Sequence, residues 1–211
     1  MSFKNKDGKQ IVLNIISAIQ ENKDYLSEID GAIGDGDHGI NMNKGATLAL
    51  EPVQKDENMS NALGSLAKVL MNKIGGSMGP LYGSIFLGMQ LACKDKEDID
   101  GHVIRQMLNN AYDNIKMISP AKVNDKTLVD VLDPAVNAYN DTFDKDGDAI
   151  SALKACIEAS TKGMLATKNM QARIGRASRL GEKSIGFQDA GATSCSLIIN
   201  TLCESAIDLL K

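Results

Sequence analysis

Residues 101–118, GHVIRQMLNNAYDNIKMI, carry the pattern that decides the fold class. Their apolar side chains recur three and four residues apart, at Ile104, Met107, Leu108, Ala111, Ile115 and Ile118. This spacing places them on one face of an α-helix, which buries that face against its neighbours. Residues 150–164 repeat the pattern, and aromatic residues, which strands favour, make up 4% of the chain. We therefore predict an all-α fold.

Glycine, proline and Asp/Asn clusters divide these patterns into eight predicted helices. They lie at residues 9–22, 39–51, 59–74, 80–94, 101–118, 127–142, 148–168 and 190–210. Short connections between most of them favour antiparallel neighbours. The connections from Asp24 to His38 and from Ile174 to Ala190 are longer, and their glycine, arginine and acidic residues favour a binding function over disorder.

Size and composition predict one domain, residues 1–211, because 43% of the chain is hydrophobic and no Pro-rich or Ser-rich linker divides it. A net charge of −4 argues against a nucleic-acid surface as the main function. Apolar residues 11–16 are too few to span a membrane, and no signal cleavage site follows them. We expect a cytoplasmic protein with a small ligand and no direct contact to membrane or nucleic acid.

Cysteine usage gives no sign of disulfides or of a zinc site. The four cysteines fall in apolar helical patterns without paired-ligand spacing, at Cys93, Cys156, Cys195 and Cys203. Reduced thiols in the core are therefore expected.

Residues 30–45, DGAIGDGDHGINMNKG, place Asp30, Asp35 and Asp37 on a glycine-rich segment before a helical pattern. Three carboxylates about 5 Å apart repel one another by roughly 3 kcal/mol per pair at an effective dielectric of about 20, so a partly dry site would need cations. Oxygen ligands favour Mg²⁺ or Ca²⁺ over zinc. In a solvated loop of turns and caps the repulsion falls below about 1 kcal/mol per pair. The segment alone leaves both interpretations open.

Residues 75–83, GGSMGPLYG, place flexible backbone and a hydroxyl before a helix whose Pro80 suits the first turn. Such a helix start can bind phosphate through its N–H groups and dipole. The alternative is a tight turn in which Gly79 or Gly83 permits close helix packing, and this motif alone favours that alternative.

Three of the four arginines are spaced so that a helical turn would align them on one face: Arg173, Arg176 and Arg179. Guanidinium groups suit phosphate, but a solvated basic face explains the spacing equally well. Asp125 and Asp189 are the expected capping residues of the helices that follow them. His38 is interpreted either as a nucleotide contact or as a polar residue at a helix start, and His102 as a surface residue.

Four motifs, taken together and in this order, resemble the nucleotide-binding L subunit of phosphotransferase-dependent dihydroxyacetone kinase. They are residues 33–43, 75–83, 125–127 and 175–186. The resemblance implies an antiparallel eight-helix barrel with ADP and two Mg²⁺ at one end. It also implies that a phosphorylated M subunit recharges this ADP to ATP, and that the phosphoryl group then passes to dihydroxyacetone bound on a separate K subunit.

The same resemblance assigns the site residues. Asp30, Asp35 and Asp37 would bind metal, and Arg176 would be the catalytic residue that neutralises phosphate charge. The nucleotide would contact His38, Gly39, Ile40, Asn41, Ser77, Met78, Leu128, Arg176, Asp189, Ala190 and Gly191. The chain departs from the family pattern at Met78, Arg179, Phe187 and Ala190.

Two other functions are compatible with these residues. The chain could be a nucleotide-loaded binding module that signals to a transcriptional regulator, or a kinase subunit for another short ketose. A stand-alone Mg²⁺-dependent phosphohydrolase is disfavoured, because no residue stands out that would activate water or bind a sugar.

Overall fold

The protein consists of nine α-helices and one short pair of strands. In the computed structural model, which describes residues 1–211, the helices are α1 (Lys9–Glu21), α2 (Lys23–Ile33), α3 (His38–Lys55), α4 (Met59–Lys73), α5 (Met78–Cys93), α6 (Gly101–Ile118), α7 (Val129–Asp146), α8 (Ala149–Ala166) and α9 (Ala190–Leu210). Strand β1 (Ser2–Lys4) pairs antiparallel with β2 (Asp98–Asp100). The prediction of an all-α fold is confirmed.

Eight of the helices close a ring around the core. Each packs on the next in the order α1, α3, α4, α5, α6, α7, α8 and α9, and α9 returns to α1. Neighbours run antiparallel: Lys9, at the start of α1, donates to the carbonyl of Gln54 near the end of α3. These eight helices are the eight predicted from the sequence.

The core is filled by the apolar faces that the periodicity indicated. Helix α6 buries Ile104, Met107, Leu108, Ala111 and Ile115. Each of the Ile, Leu and Met side chains contributes about 1.5–3 kcal/mol by leaving water. All four cysteines are buried and free, as predicted. None of the helices is both long and apolar enough to cross a membrane.

Helix α2 corrects the expectation of a long loop between Asp24 and His38. It lies outside the ring, packs on α3 and α9, and buries only Leu26 and Ile33. A Cβ on Gly39 would overlap the carbonyl oxygen of Lys23. Gly39 therefore lets the start of α3 approach the backbone of α2.

Several helix ends also differ from prediction. Helix α3 continues through Pro52 to Lys55. Asp125 does not cap α7: its carboxylate accepts from the Lys122 N–H at 2.8 Å, whereas the Thr127 hydroxyl oxygen accepts from the Val129 N–H at 3.1 Å. The cap predicted at the start of α9 is confirmed, because the Asp189 carboxylate accepts from the Ala192 N–H at 2.7 Å.

The second long connection, between α8 and α9, contains two 3-10 helical stretches, Thr167–Asn169 and Arg176–Ser184. The second is interrupted at Gly181, whose φ of 55° lies in the left-handed region. Residues 170–187 of this connection are called the arginine segment below. It packs against α2 at one end of the ring.

Candidate functional site

A cavity of about 720 Å³ opens at one end of the ring. Four helices, α3, α5, α7 and α9, begin at its wall, as the lining residues His38, Met78, Val129 and Ala190 show. The first turn of a helix presents unpaired N–H groups and the positive end of the helix dipole. Four such helix starts around one cavity favour an anionic ligand.

Three carboxylates converge on the cavity wall, as predicted. One oxygen from each of Asp30, Asp35 and Asp37 lies within 4.8 Å of the others. Asp30 stands in the last turn of α2 and Asp37 immediately precedes α3, while Gly36 between them has a φ of 76°. The turn between two helices thus brings the three acids together. Three carboxylates this close repel one another, and a set of oxygen donors suits Mg²⁺ if a cation binds there.

Arg176 approaches the acidic cluster from the arginine segment. Its Nη1 pairs with the Asp35 carboxylate and lies 3.9 Å from that of Asp37. Because both partners are largely exposed, the ion pair contributes no more than about 1 kcal/mol to stability. Arg173 and Arg179 are exposed and do not line the cavity. Of the three arginines, Arg176 alone faces the carboxylates.

The glycine turn before α5 contributes to the cavity wall and also permits close helix packing, while phosphate binding there stays a prediction. Gly75 and Gly76 line the cavity, and the φ of Gly76 is 69°. A Cβ on Gly79 would overlap the Ile74 carbonyl oxygen, and one on Gly83 would overlap the Met71 side chain. The first two glycines thus form cavity wall, and the last two allow close packing of α4 on α5.

His38 is buried in a polar network at the cavity wall. Its Nε2 lies 2.8 Å from the Ser194 hydroxyl, which lies 2.5 Å from the Tyr82 hydroxyl, and Tyr82 donates to the Gly191 carbonyl at 2.9 Å. Burial lowers the pKa of His38, and the nearby Asp30 carboxylate opposes that shift. The network joins α3, α5 and α9. Sequence reasoning did not assign Ser194 or Tyr82 any part in the site.

Asp189 is half-buried beside the cavity as well as being the cap of α9. Burial raises its pKa to about 6, against the opposing effects of the Ala192 N–H and of the Lys126 ammonium. Its carboxylate therefore titrates much closer to neutral pH than an exposed aspartate does.

A buried lysine, Lys126, also lines the cavity, and sequence reasoning gave it no role. It is 1% exposed and has a φ of 62°, and the nearby Asn124 has a φ of 75°. Such a conformation costs roughly 1–3 kcal/mol in a residue other than glycine. Burial lowers the pKa of Lys126, and the Asp189 carboxylate opposes that shift. The sequence signal was the Asp-Lys-Thr motif at residues 125–127, which was interpreted as a helix start and as part of the family resemblance.

Most residues assigned by the family resemblance line this cavity. They are Asp30, Asp35, Asp37, His38, Asn41, Ser77, Met78, Leu128, Arg176, Asp189, Ala190 and Gly191. Gly39 and Ile40 do not: Gly39 packs on α2, and Ile40 is 54% exposed. The ligand contacts of all these residues stay predictions.

The DAK2 domain family matches residues 32–204 of this chain. The chain is 39% identical over 189 residues to the ADP-binding subunit DhaL of the PTS-dependent dihydroxyacetone kinase of Lactococcus lactis, covering 88% of this chain and 90% of that protein. It is 35% identical over 191 residues to the ADP-binding subunit DhaL of PEP-dependent dihydroxyacetone kinase 1 of Listeria innocua, with 90% of each covered. It is 31% identical to a D-erythrulose kinase of Mycolicibacterium smegmatis, covering 89% of this chain but 33% of that enzyme.

Solved structures share the fold. The native dihydroxyacetone kinase of C. freundii aligns with a TM-score of 0.68 and 19% identity, over 96% of this chain and 35% of that chain. The complex of the C. freundii kinase with AMP-PNP and Mg²⁺ aligns with a TM-score of 0.67 and 20% identity, over 97% of this chain and 35% of that chain. This chain thus corresponds to about a third of those solved chains.

Proposed function

This chain belongs to the DAK2 domain family, and on that premise we propose that it is the ADP-binding subunit of a phosphotransferase-dependent dihydroxyacetone kinase. Two relatives that match over about 90% of both chains are named ADP-binding subunits of a PTS-dependent and of a PEP-dependent dihydroxyacetone kinase. The observation that carries the proposal is a cluster of three carboxylates, two of which lie beside Arg176, at a cavity where four helices begin. The carboxylates can bind a metal ion, and Arg176 and the helix starts can bind phosphate beside it, as a metal-bound diphosphate needs.

Asp30, Asp35 and Asp37 are the proposed ligands of two Mg²⁺ ions. Their oxygens are close enough to share cations, and their mutual repulsion favours bound positive charge. Bound Mg²⁺ would neutralise charge on the phosphates. A structure of similar fold was determined in complex with AMP-PNP and Mg²⁺, which supports the same pairing here.

The nucleotide phosphates are proposed to lie at the starts of α3, α5 and α9. Asn41, Ser77 and Gly191 line the wall there, and Leu128 and Met78 add apolar surface. Gly39 and Ile40 lie off the wall, so their proposed contribution is limited to N–H groups of the first turn of α3. Residues of this chain thus bind and orient the phosphates.

Arg176 is the proposed catalytic residue. A guanidinium carries two parallel donors that fit phosphate oxygens, and it remains charged at any relevant pH. Its position against Asp35 and Asp37 would put that charge beside the bound phosphates. Phosphoryl transfer depends on positioning and charge neutralisation, both of which this arrangement offers.

The proposed partners are a K subunit, which holds dihydroxyacetone, and a phosphorylated M subunit, which recharges the nucleotide. We expect native mass spectrometry of the purified chain to detect one ADP and two Mg²⁺. Mixed with its own K and M subunits and a phosphoenolpyruvate relay, the chain should support ketose phosphorylation, whereas alone it should hydrolyse almost no ATP. No turnover with authentic partners, or steady hydrolysis by the isolated chain, would refute the proposal.

A second candidate substrate is erythrulose, because one relative 31% identical to this chain is named a D-erythrulose kinase. The ketose would bind on the partner subunit, so the choice between the two substrates is proposed to depend on that subunit. Comparing dihydroxyacetone with erythrulose in the reconstituted assembly distinguishes them.

A further inference from the structure

The arginine segment has little buried surface of its own. Within residues 170–187, only Ala172 and Ser184 are buried. Three glycines of the segment have positive φ angles, 76° at Gly175, 55° at Gly181 and 98° at Gly186. A stretch of this kind opens easily unless something outside it holds it. Yet it must present Arg176 to the acidic cluster.

Lys126 supplies that external hold. Its Nζ donates to the carbonyl oxygens of Met170 at 3.2 Å, Ser184 at 2.5 Å and Phe187 at 2.6 Å. An ammonium group has three donors, so all of them are used on this one segment. The acceptors stand at both ends of the segment, and Arg176 lies between them.

Lys126 is itself fixed to the ring. The buried Asp130 carboxylate, on α7, accepts from the Asn124 N–H at 2.5 Å and from the Thr127 N–H at 2.7 Å. These bonds close the turn that holds Lys126 in its left-handed conformation. The Arg173 N–H also donates to the Asp125 carbonyl at 3.1 Å, which adds a backbone link to the same turn. A continuous set of contacts therefore runs from α7 to the arginine segment.

We propose that Lys126 is a positioning residue that holds Arg176 at the nucleotide site by fixing both ends of the arginine segment. The inference rests on the proposed function, because it assigns Lys126 a part in nucleotide retention. Lys126 acts through backbone carbonyls, and the role requires no contact between its ammonium group and the phosphates.

Lys126→Met tests the proposal, because it keeps the length of the side chain and removes its three donors. Hydrogen–deuterium exchange of the whole chain is expected to quicken in residues 170–187 and to stay unchanged in α4 and α5. The dissociation constant for Mg²⁺-ADP, measured by calorimetry after exchange of bound nucleotide, is expected to rise about 10-fold through displacement of Arg176. Lys122→Met, which removes an exposed lysine from the same connection, is the matched control and should behave as wild type.

Each outcome decides the inference. Wild-type exchange in residues 170–187 together with wild-type ADP affinity would overturn it, as would faster exchange spread evenly over the ring. If Lys126→Met does not fold, Lys126→Gln, which has a shorter side chain with two donors, is measured in the same way: a local change in the arginine segment with weaker ADP binding supports the inference, and wild-type behaviour overturns it. Failure of the wild-type chain to bind ADP would instead refute the proposed function, while the exchange data would still show whether Lys126 holds the segment.

Discussion

The acidic segment, residues 30–37, and the arginine segment bring opposite charges to the same cavity, but they are held in different ways. The acids stand at the end of α2, at the start of α3 and in the tight turn between them, so short-range backbone geometry fixes them. The arginine segment consists of interrupted 3-10 turns and is held by Lys126, which lies far away in the sequence. The negative side of the site is thus a local structure, whereas the positive side depends on a tertiary contact.

The largest effect is expected on the acidic side. Asp35→Asn with Asp37→Asn removes two of the three charges proposed to hold Mg²⁺, and we expect ADP affinity to fall by about 100-fold or more. Native mass spectrometry and calorimetry measure the loss. Stability should change little, because the ion pair with Arg176 is exposed. Asp24→Asn, at the exposed start of α2, is the matched control. If the double variant retained ADP, the acidic segment would not be part of the ADP-binding site.

The next effect tests the arginine side. Arg176→Lys keeps the charge and loses the planar fork, so turnover in the reconstituted assembly is expected to drop by roughly 100-fold. ADP retention should fall much less, since the proposed metal ligands are intact. Steady-state rates with saturating partner subunits measure turnover, and calorimetry of Mg²⁺-ADP binding measures ADP affinity separately. Equal losses in both would show that Arg176 serves binding and has no separate role in transfer.

A smaller effect concerns Asp189, where the arginine segment joins α9. Because burial raises its pKa from 3.8 to about 6, the folded state binds this proton more tightly than the unfolded state. The resulting stability is complete below about pH 4 and is lost as the pH rises through about 6. Asp189→Asn keeps a capping oxygen and buries no charge. At pH 8 we expect its free energy of unfolding to exceed that of wild type by about 1–2 kcal/mol, and at pH 4.5 we expect the two values to be equal. Denaturant or thermal unfolding at the two pH values measures the difference.

The smallest effect is expected at Arg179, which is exposed and lies outside the cavity wall. Arg179→Met should change ADP affinity by less than about twofold, because an exposed charge outside the cavity wall is screened by salt. The same calorimetry measures it. If Arg176→Met, measured beside it, lost no more affinity than Arg179→Met, the arginine segment would act as one basic surface, without a single directed residue.

Much of the fold, and the clustering of the three aspartates, could be predicted from the sequence. All eight ring helices follow from apolar periodicity, and the convergence of Asp30, Asp35 and Asp37 follows from their closeness in the chain. Helix α2 escaped prediction because it buries only two apolar residues, and its preceding residue, Asn22, makes no side-chain cap. Its short length and the glycines that follow it made the segment look like a loop.

The role of Lys126 could not be predicted for a different reason. Its acceptors are backbone carbonyls far away in the chain, and a carbonyl leaves no mark on the sequence. The capping error has a related cause: α7 begins at Val129 and not at residue 127, and the Asp125 carboxylate instead closes a turn with Lys122. Both cases depend on where the backbone folds back, which residue types alone do not specify.

The antiparallel ring has a practical consequence for handling the protein. Strand β1 pairs with β2, which directly precedes the start of α6. Helix α9 begins at the cavity and ends at Leu210. Residues 2 and 210 therefore both lie at the end of the ring remote from the ligand opening. A fluorophore, affinity handle or surface tether attached at either place would leave the opening unobstructed. Immobilised protein could then be exposed in turn to nucleotide, metal and candidate partner subunits.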